Sequence, residues 1–242
     1  LRQKGFEVID LKKQKTIRVE TDGKLLKSFD TWQIAEDADA IITLPVMKNH
    51  DQLEITLGLK NLKGLVSDGE KKFFHANGVV DGVLDIAEHF KPALEIIDGT
   101  YCQEGMGPVF GDTVRMDLIM ASKDLVACEA AAGLVMGYVP EEVPITKAAA
   151  ARGLGSLDFD SCACSGVTAL TSCSLLNFEG TEADKLNLIA CYESVCDGCE
   201  YGAYCCFCIF LLKSGFCYYG INNISLCHDL FHLSCIWLAD IL

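Results

Sequence analysis

Lys48, His50, Lys60, Asn61 and Lys63 fall within sixteen consecutive positions, beside an aliphatic run, Ala40–Val46, of the kind that becomes a buried strand. Cations gathered next to a segment that must lie inside the fold imply one wall of a binding site for an anion. Downstream stand His75, then Asp98-Gly99, then the stretch GTYCQEGMGPVFG over 99–111 with Glu104, Gly105 and Gly107. Four glycines and a proline there read as a loop whose backbone amides can approach a ligand closely. His50, His75 and Asp98 are the candidate proton-transfer groups, imidazole being the side chain most easily tuned near neutral pH.

Each of these residues also has a plainer reading. Lys60 and Lys63 fit a solvated helix face, as most charges do. His50 could cap backbone carbonyls at a strand end, and His75 could be a surface residue between Phe74 and Ala76. Asp–Gly is a common turn pair. Glu104 is a weaker candidate than the others. Asp81, Asp85 and Glu88 read as the solvent-facing stripe of a helix.

Cysteine is the second unusual feature. Of 14 cysteines, twelve fall after residue 160. Cys191, Cys196 and Cys199 have the spacing C-x4-C-x2-C, which equals the first three ligands of a plant-type two-iron ferredoxin, with a fourth ligand needed further on. Zinc is the alternative, since four thiolates suit a tetrahedral site. The competing reading is packing, because Cys behaves as a small buried hydrophobe and Cys199, Ala203, Cys206 and Phe210 follow a helical stripe.

The elements that must position these groups alternate between helix and strand. Phe6–Leu11 and Thr16–Glu20 read as short strands that could pair, Thr31–Asp37 as a helical turn or two, and Ala40–Val46 as a buried strand. Leu53–Val66 carries both periods, and the helical spacing of Ile55, Leu59, Leu62 and Val66 is preferred. Val80–Phe90 is the clearest helix, stopped by Pro92. Ala93–Ile97 reads as a strand ending at Asp98-Gly99, and Val114–Ala121 as a further strand. Asp124 caps a helix running towards Gly137, and Ile145–Arg152 is a shorter helix. The order predicts an α/β fold with a mixed or mostly parallel sheet flanked by helices. A shift in composition near Gly153–Ser161 divides an α/β core over 1–155 from a Cys-rich C-terminal segment over 156–242. If Ala40–Val46 and Ala93–Ile97 are parallel neighbours, Lys48, His50 and Asp98 share one rim of the sheet, where open α/β sheets bind ligands.

A chain of 242 residues, half of them hydrophobic, can bury a real core. Its net charge of −14 argues against nucleic acid as a partner. Residues 1–73 hold thirteen Lys/Arg against twelve Asp/Glu, whereas 74–242 hold seven against twenty-two, so an anionic small molecule favours the N-terminal third. The longest apolar run, Ala203–Leu212, is about half of the ~20 residues a membrane helix needs. No membrane span is therefore expected, and a cytoplasmic setting is the default. Leu1 stands where an initiator Met is expected, which reads as a trimmed chain. No G-x-x-x-x-G-K-[ST], G-x-S-x-G, H-E-x-x-H or helix-opening G-x-G-x-x-G occurs, which removes P-loop, serine-hydrolase, zincin and dinucleotide-binding readings.

The ordered motifs LPVMKNH, LGLKNLKGL, His75, EIIDGTYCQEGMGP and ASKDLVACEAAAGLVMG, over roughly 38–155, resemble the Domain of Unknown Function 362 family. The resemblance implies a site built from Lys48, His50, Lys60, Asn61, Lys63, His75, Asp98, Glu104, Gly105, Gly107 and Asp124. It also implies an association with iron–sulfur chemistry through cysteines near the C-terminus, here Cys196 and Cys199. Two features depart from the pattern. Glu129, preceded by Cys128, stands where Asp is usual, and the N-terminal strand and Gly-containing turn of relatives are not evident. Three functional readings follow: a redox-linked enzyme or accessory protein binding an anionic small molecule, with a redox partner or a second copy; a non-redox isomerase or transferase acting on a carboxylate or phosphate; and a binding or assembly module without chemistry.

Overall fold

A computed structural model describes residues 7–50, 52–107, 110–157, 188–192, 207–213 and 216–219. Ten strands, β1 to β10, run Glu7–Asp10, Thr16–Glu20, Ser28–Trp32, Ala40–His50, Glu54–Thr56, Leu94–Met106, Phe110–Ser122, Leu188–Tyr192, Phe207–Lys213 and Phe216–Tyr219. Six helices, α1 to α6, run Gln33–Glu36, Gly58–Asn61, Asp68–Asn77, Val79–Phe90, Leu125–Val135 and Pro144–Ala151. The main sheet is mixed and eight-stranded, in the order β10-β1-β8-β9-β4-β6-β7 with β5 beside β4; β2 and β3 form a separate antiparallel pair. The predicted α/β architecture with helices flanking a mixed sheet is the one found.

The site depends on the centre of this sheet. β4 is buried along most of its length, so its near-continuous aliphatic run needs cover on both faces. β6 lies parallel to it, with Val46 opposite Asp98 and Lys48 opposite Gln103. The parallel pairing expected from the sequence is present, but Lys48, His50 and Asp98 lie within β4 and β6 and not past their ends. β5 folds back on the end of β4, pairing Lys48 with Thr56 and His50 with Glu54. α4 presents Val83, Leu84, Ile86 and Ala87 to the core, and α5 is buried from Leu125 to Gly133. Asp124 caps α5 as expected, accepting the Ala127 N–H at 2.9 Å.

Several expectations fail for physical reasons. The strand at Glu7–Asp10 pairs in parallel with β8 and β10 instead of with β2, which takes β3 as its partner. Leu53–Val66 is not one helix: β5, the four-residue α2 and a 3-10 turn over Leu62–Leu65 divide it, so both periods in that stretch were real. β6 continues past Asp98-Gly99 to Met106 and pairs with β7 as a long hairpin. The stretch 99–111 is thus mainly strand, and its glycines serve close approach: a Cβ on Gly111 would lie 2.3 Å from the Glu104 carbonyl oxygen. α3 was not foreseen. Asp85 does not face solvent. It is buried, and its carboxylate accepts the N–H groups of Lys24, Leu25 and Leu26 at 2.7–2.8 Å and the Arg152 guanidinium at 2.7 Å.

Candidate functional site

Every cation of the predicted wall is buried. Lys48 on β4, Lys60 on α2 and Lys63 on the following turn are only 4%, 2% and 5% exposed. The solvated-face reading of Lys60 and Lys63 therefore fails. Asn61 lies beside them, its Nδ2 donating to Thr43 Oγ1 at 2.8 Å. His50 is half-buried at the end of β4, with Nε2 against Lys60 Nζ and Nδ1 accepting the Gln52 N–H at 3.0 Å. Burial pushes the imidazole down to about 2, and the charges of Lys60, Lys63, His75 and Lys48 push it the same way. His50 is therefore neutral at physiological pH, and basic groups from β4, α2, the 3-10 turn and α3 are near enough to act on its charge. His75, half-buried in the last turn of α3, lies over the Phe74 ring at 5.3 Å. Lys48 and His75, far apart in sequence, both act on the charge of His50.

One buried lysine is not among the sequence candidates. Lys71 on α3 is fully buried, donates to Asp68 Oδ1 at 3.2 Å, and is pushed down to about 8 by burial, with Lys63 adding repulsion. The other carboxylate oxygen of Asp68 accepts from Lys12 at 2.8 Å. Lys71 was legible only as one half of an i, i+3 Asp–Lys pair on a helix that polar composition had hidden.

Beneath α2 lies the opposite chemistry. Glu95 on β6 accepts the Gly58 N–H, and Glu129 on α5 accepts the Leu59 N–H, each at 2.6 Å. Both carboxyls are completely enclosed and both are held well above the usual carboxylate range by burial, Glu95 further by the charge of Glu129. Their second oxygens, Oε2 of each, have no hydrogen-bond partner among the described residues. These neutral acids hold the first two N–H groups of the helix that carries Lys60 and Asn61. A Cβ on Gly58 would fall 2.1 Å from Glu95 Oε1, so glycine is what lets the backbone reach the acid. The departure from the family pattern at Glu129 thus has a structural consequence. The longer acid reaches α2.

The remaining predicted residues are divided. Asp98 is half-buried on β6 next to the β4 rim, its Oδ1 accepting the Thr100 N–H at 2.9 Å. Gly107 packs on the end of β4, where a Cβ would lie 2.3 Å from the Asn49 carbonyl oxygen. Glu104 and Gly105 are exposed near the hairpin tip, with Gly105 at φ +83°, and the structure does not bring Glu104 into the cation cluster. Asp124 is engaged as the α5 cap and in accepting the Ser156 N–H at 3.0 Å. Cys191 lies on β8, while Cys196 and Cys199 lie outside the described residues. Among the described residues no three His, Cys, Asp or Glu side chains gather as a metal site requires. Among them, too, no helix is long and apolar enough to cross a membrane.

Comparison with known proteins gives one curated relative and a family. A curated relative, the thylakoid-associated protein sll1697 of Synechocystis sp. (strain ATCC 27184 / PCC 6803 / Kazusa), is 33% identical over 143 residues, covering 57% of this chain. The match spans 44% of that relative's own length. No solved structure matches the chain. The family model described as "Domain of unknown function (DUF362)" matches residues 1–133, which carry the whole cation cluster and both buried acids, and the chain belongs to that family.

Proposed function

We propose that the protein binds a small carboxylate or phosphate anion at the Lys48–Lys60–Lys63 cluster and acts on it by acid–base chemistry through His50 and His75. The observation that carries this reading is the burial of three lysines around a neutral imidazole. An anion seated among them would be held by charge-assisted hydrogen bonds, the strong kind. His50, kept neutral, can take or give a proton without first losing one, and Asp98 stands on the adjacent strand.

Thermal unfolding tests the reading. A ligand at a hundred times its Kd adds about 2.7 kcal/mol, roughly 5–10 °C for a chain of this size. Phosphate, sulfate or citrate should raise Tm by that order over chloride at equal ionic strength. Lys48→Ala and Lys60→Ala should abolish the rise. No anion-specific rise, or an unchanged rise in both variants, would remove the proposal.

The C-x4-C-x2-C spacing supports a second, redox-linked form of the same reading, in which Cys191, Cys196 and Cys199 anchor an iron–sulfur centre, with zinc as the alternative. Of these thiols the described residues include only Cys191, placed by its backbone on β8. Iron and acid-labile sulfide in protein prepared without oxygen would support the cluster, zinc alone would support the alternative, and the absence of both would leave the non-redox form. A cytoplasmic setting accords with the free thiols Cys102 and Cys128, which persist in a reducing compartment.

A further inference from the structure

We infer that Thr56 and Glu54 complete the anion site from β5, and that its ligand is a small acid carrying a hydroxyl group beside its charge, a 2-hydroxy carboxylate. This rests on the anion-site reading and narrows it to a substrate class.

The ladder between β4 and β5 fixes which side chains meet. Thr56 stands opposite Lys48 and Glu54 opposite His50, and residues directly opposite in an antiparallel pair share one face of the sheet. Met47 on β4 and Ile55 on β5 belong to the hydrophobic core. The two-residue alternation of a strand therefore puts Lys48, His50, Glu54 and Thr56 on the other face. Two of these side chains carry a polar atom that the fold does not satisfy. Thr56 is only 2% exposed, yet its Oγ1 has no hydrogen-bond partner among the described residues. The same holds for the buried Oε2 of Glu54. Buried polar atoms are nearly always paired, and these two stand across from two residues of the anion site. Glu54 also sits at φ 61°, in the left-handed region that a residue with a Cβ rarely adopts. Strain of this kind collects at ligand clamps.

The two residues ask for different groups on the ligand. The Thr56 hydroxyl can donate to a carboxylate oxygen that Lys48 also holds, a charge-assisted contact. An ionised Glu54 side chain only accepts, so it needs a donor on the ligand and cannot hold the anionic end. A hydroxyl supplies that donor without adding charge. An ammonium would bring a further cation to a region where Lys48, Lys60 and Lys63 already act on His50. Residues two apart on a strand are separated by roughly 6–7 Å, close enough for a carboxylate and a hydroxyl on neighbouring carbons to reach both. The hydroxyl then lies at the ladder position where Glu54 faces His50, beside the imidazole.

Titration calorimetry of the full chain with lactate and propionate, which differ only in the 2-hydroxyl group, tests the inference at neutral pH. Lactate should bind about 10- to 100-fold more tightly, the worth of a hydrogen bond to a charged group. Thr56→Val keeps the shape and removes the hydroxyl, and should weaken lactate by about tenfold. Glu54→Met removes the acceptor and should bring the ratio of the two Kd values close to one. Equal Kd values in the wild-type protein, or no binding of either acid, with phosphate still raising Tm, would overturn the hydroxyl reading while leaving the anion site standing. Alanine binding more tightly than lactate would overturn it in favour of an ammonium. No binding of either acid and no stabilisation by phosphate would overturn both readings.

Discussion

Glu129→Gln should make the protein more stable at pH 8 while leaving it nearly unchanged at pH 4.5. The amide oxygen can still accept the Leu59 N–H that Glu129 Oε1 accepts at 2.6 Å, so geometry is preserved and only ionisation is removed. Burial raises the native carboxyl from an ordinary 4.5 to about 8. Below pH 4.5 folded and unfolded chains both hold the proton. As pH rises from 4.5 to 8 the unfolded chain releases it and the folded chain keeps it, so the stability present at low pH is progressively lost. A raised carboxyl gives this sign, opposite to that of a salt-bridged one. The loss over this window comes to about 4 kcal/mol.

Urea unfolding of both proteins at half-unit steps from pH 4.5 to 8 measures it. His50 contributes the opposite slope, because its imidazole is depressed to about 2 and its stabilisation is lost as pH falls below the unfolded value near 6.5. Lys71, depressed to about 8, contributes above that pH. Both residues are shared by wild type and variant and cancel in the difference. A difference that stays constant within about 1 kcal/mol across the window would show that the pair ionises freely in the fold and would refute the neutral-acid account of α2.

Two further outcomes follow from buried contacts. Asp85→Ala strands three backbone N–H groups and weakens the Arg152 anchor, and should cost about 3–5 kcal/mol in urea unfolding; a loss below about 1 kcal/mol would contradict it. Gly107→Ala places a methyl group 2.3 Å from the Asn49 carbonyl oxygen and should displace the β6–β7 hairpin from the end of β4. The Tm should fall and the phosphate-dependent rise should weaken, whereas full retention of both would detach Gly107 from the site.

What could be read from residue order alone was whatever a local signal controls. The aliphatic run of β4, the stripe of α4 and the Asp124 cap are each set by neighbours within a turn or two, and each is found. Asp85 shows where that logic stops. It shares a helical face with Asp81 and Glu88, and period alone assigns all three to solvent, yet its partners Lys24 to Leu26 are about sixty positions away. Lys71 and Glu95 escaped for the same reason, since a buried charge looks like an exposed one until its tertiary partner is known. Residue order alone reads the hairpin as a loop because glycine marks both turns and close strand contacts.

The buried ionisable groups share a cost. Lys48, Lys60, Lys63, Lys71, Glu95 and Glu129 are all buried, and all but Lys71 lie on α2 or on elements packed against it. Well-packed apolar side chains in such positions are often as stable or more so. Stability alone therefore does not account for five buried ionisable groups on or against a four-residue helix. The proposed anion chemistry would use such perturbed groups. By the same argument, replacing the acids beneath α2 should strengthen the fold, whereas replacing the lysines beside it should remove the response to anions.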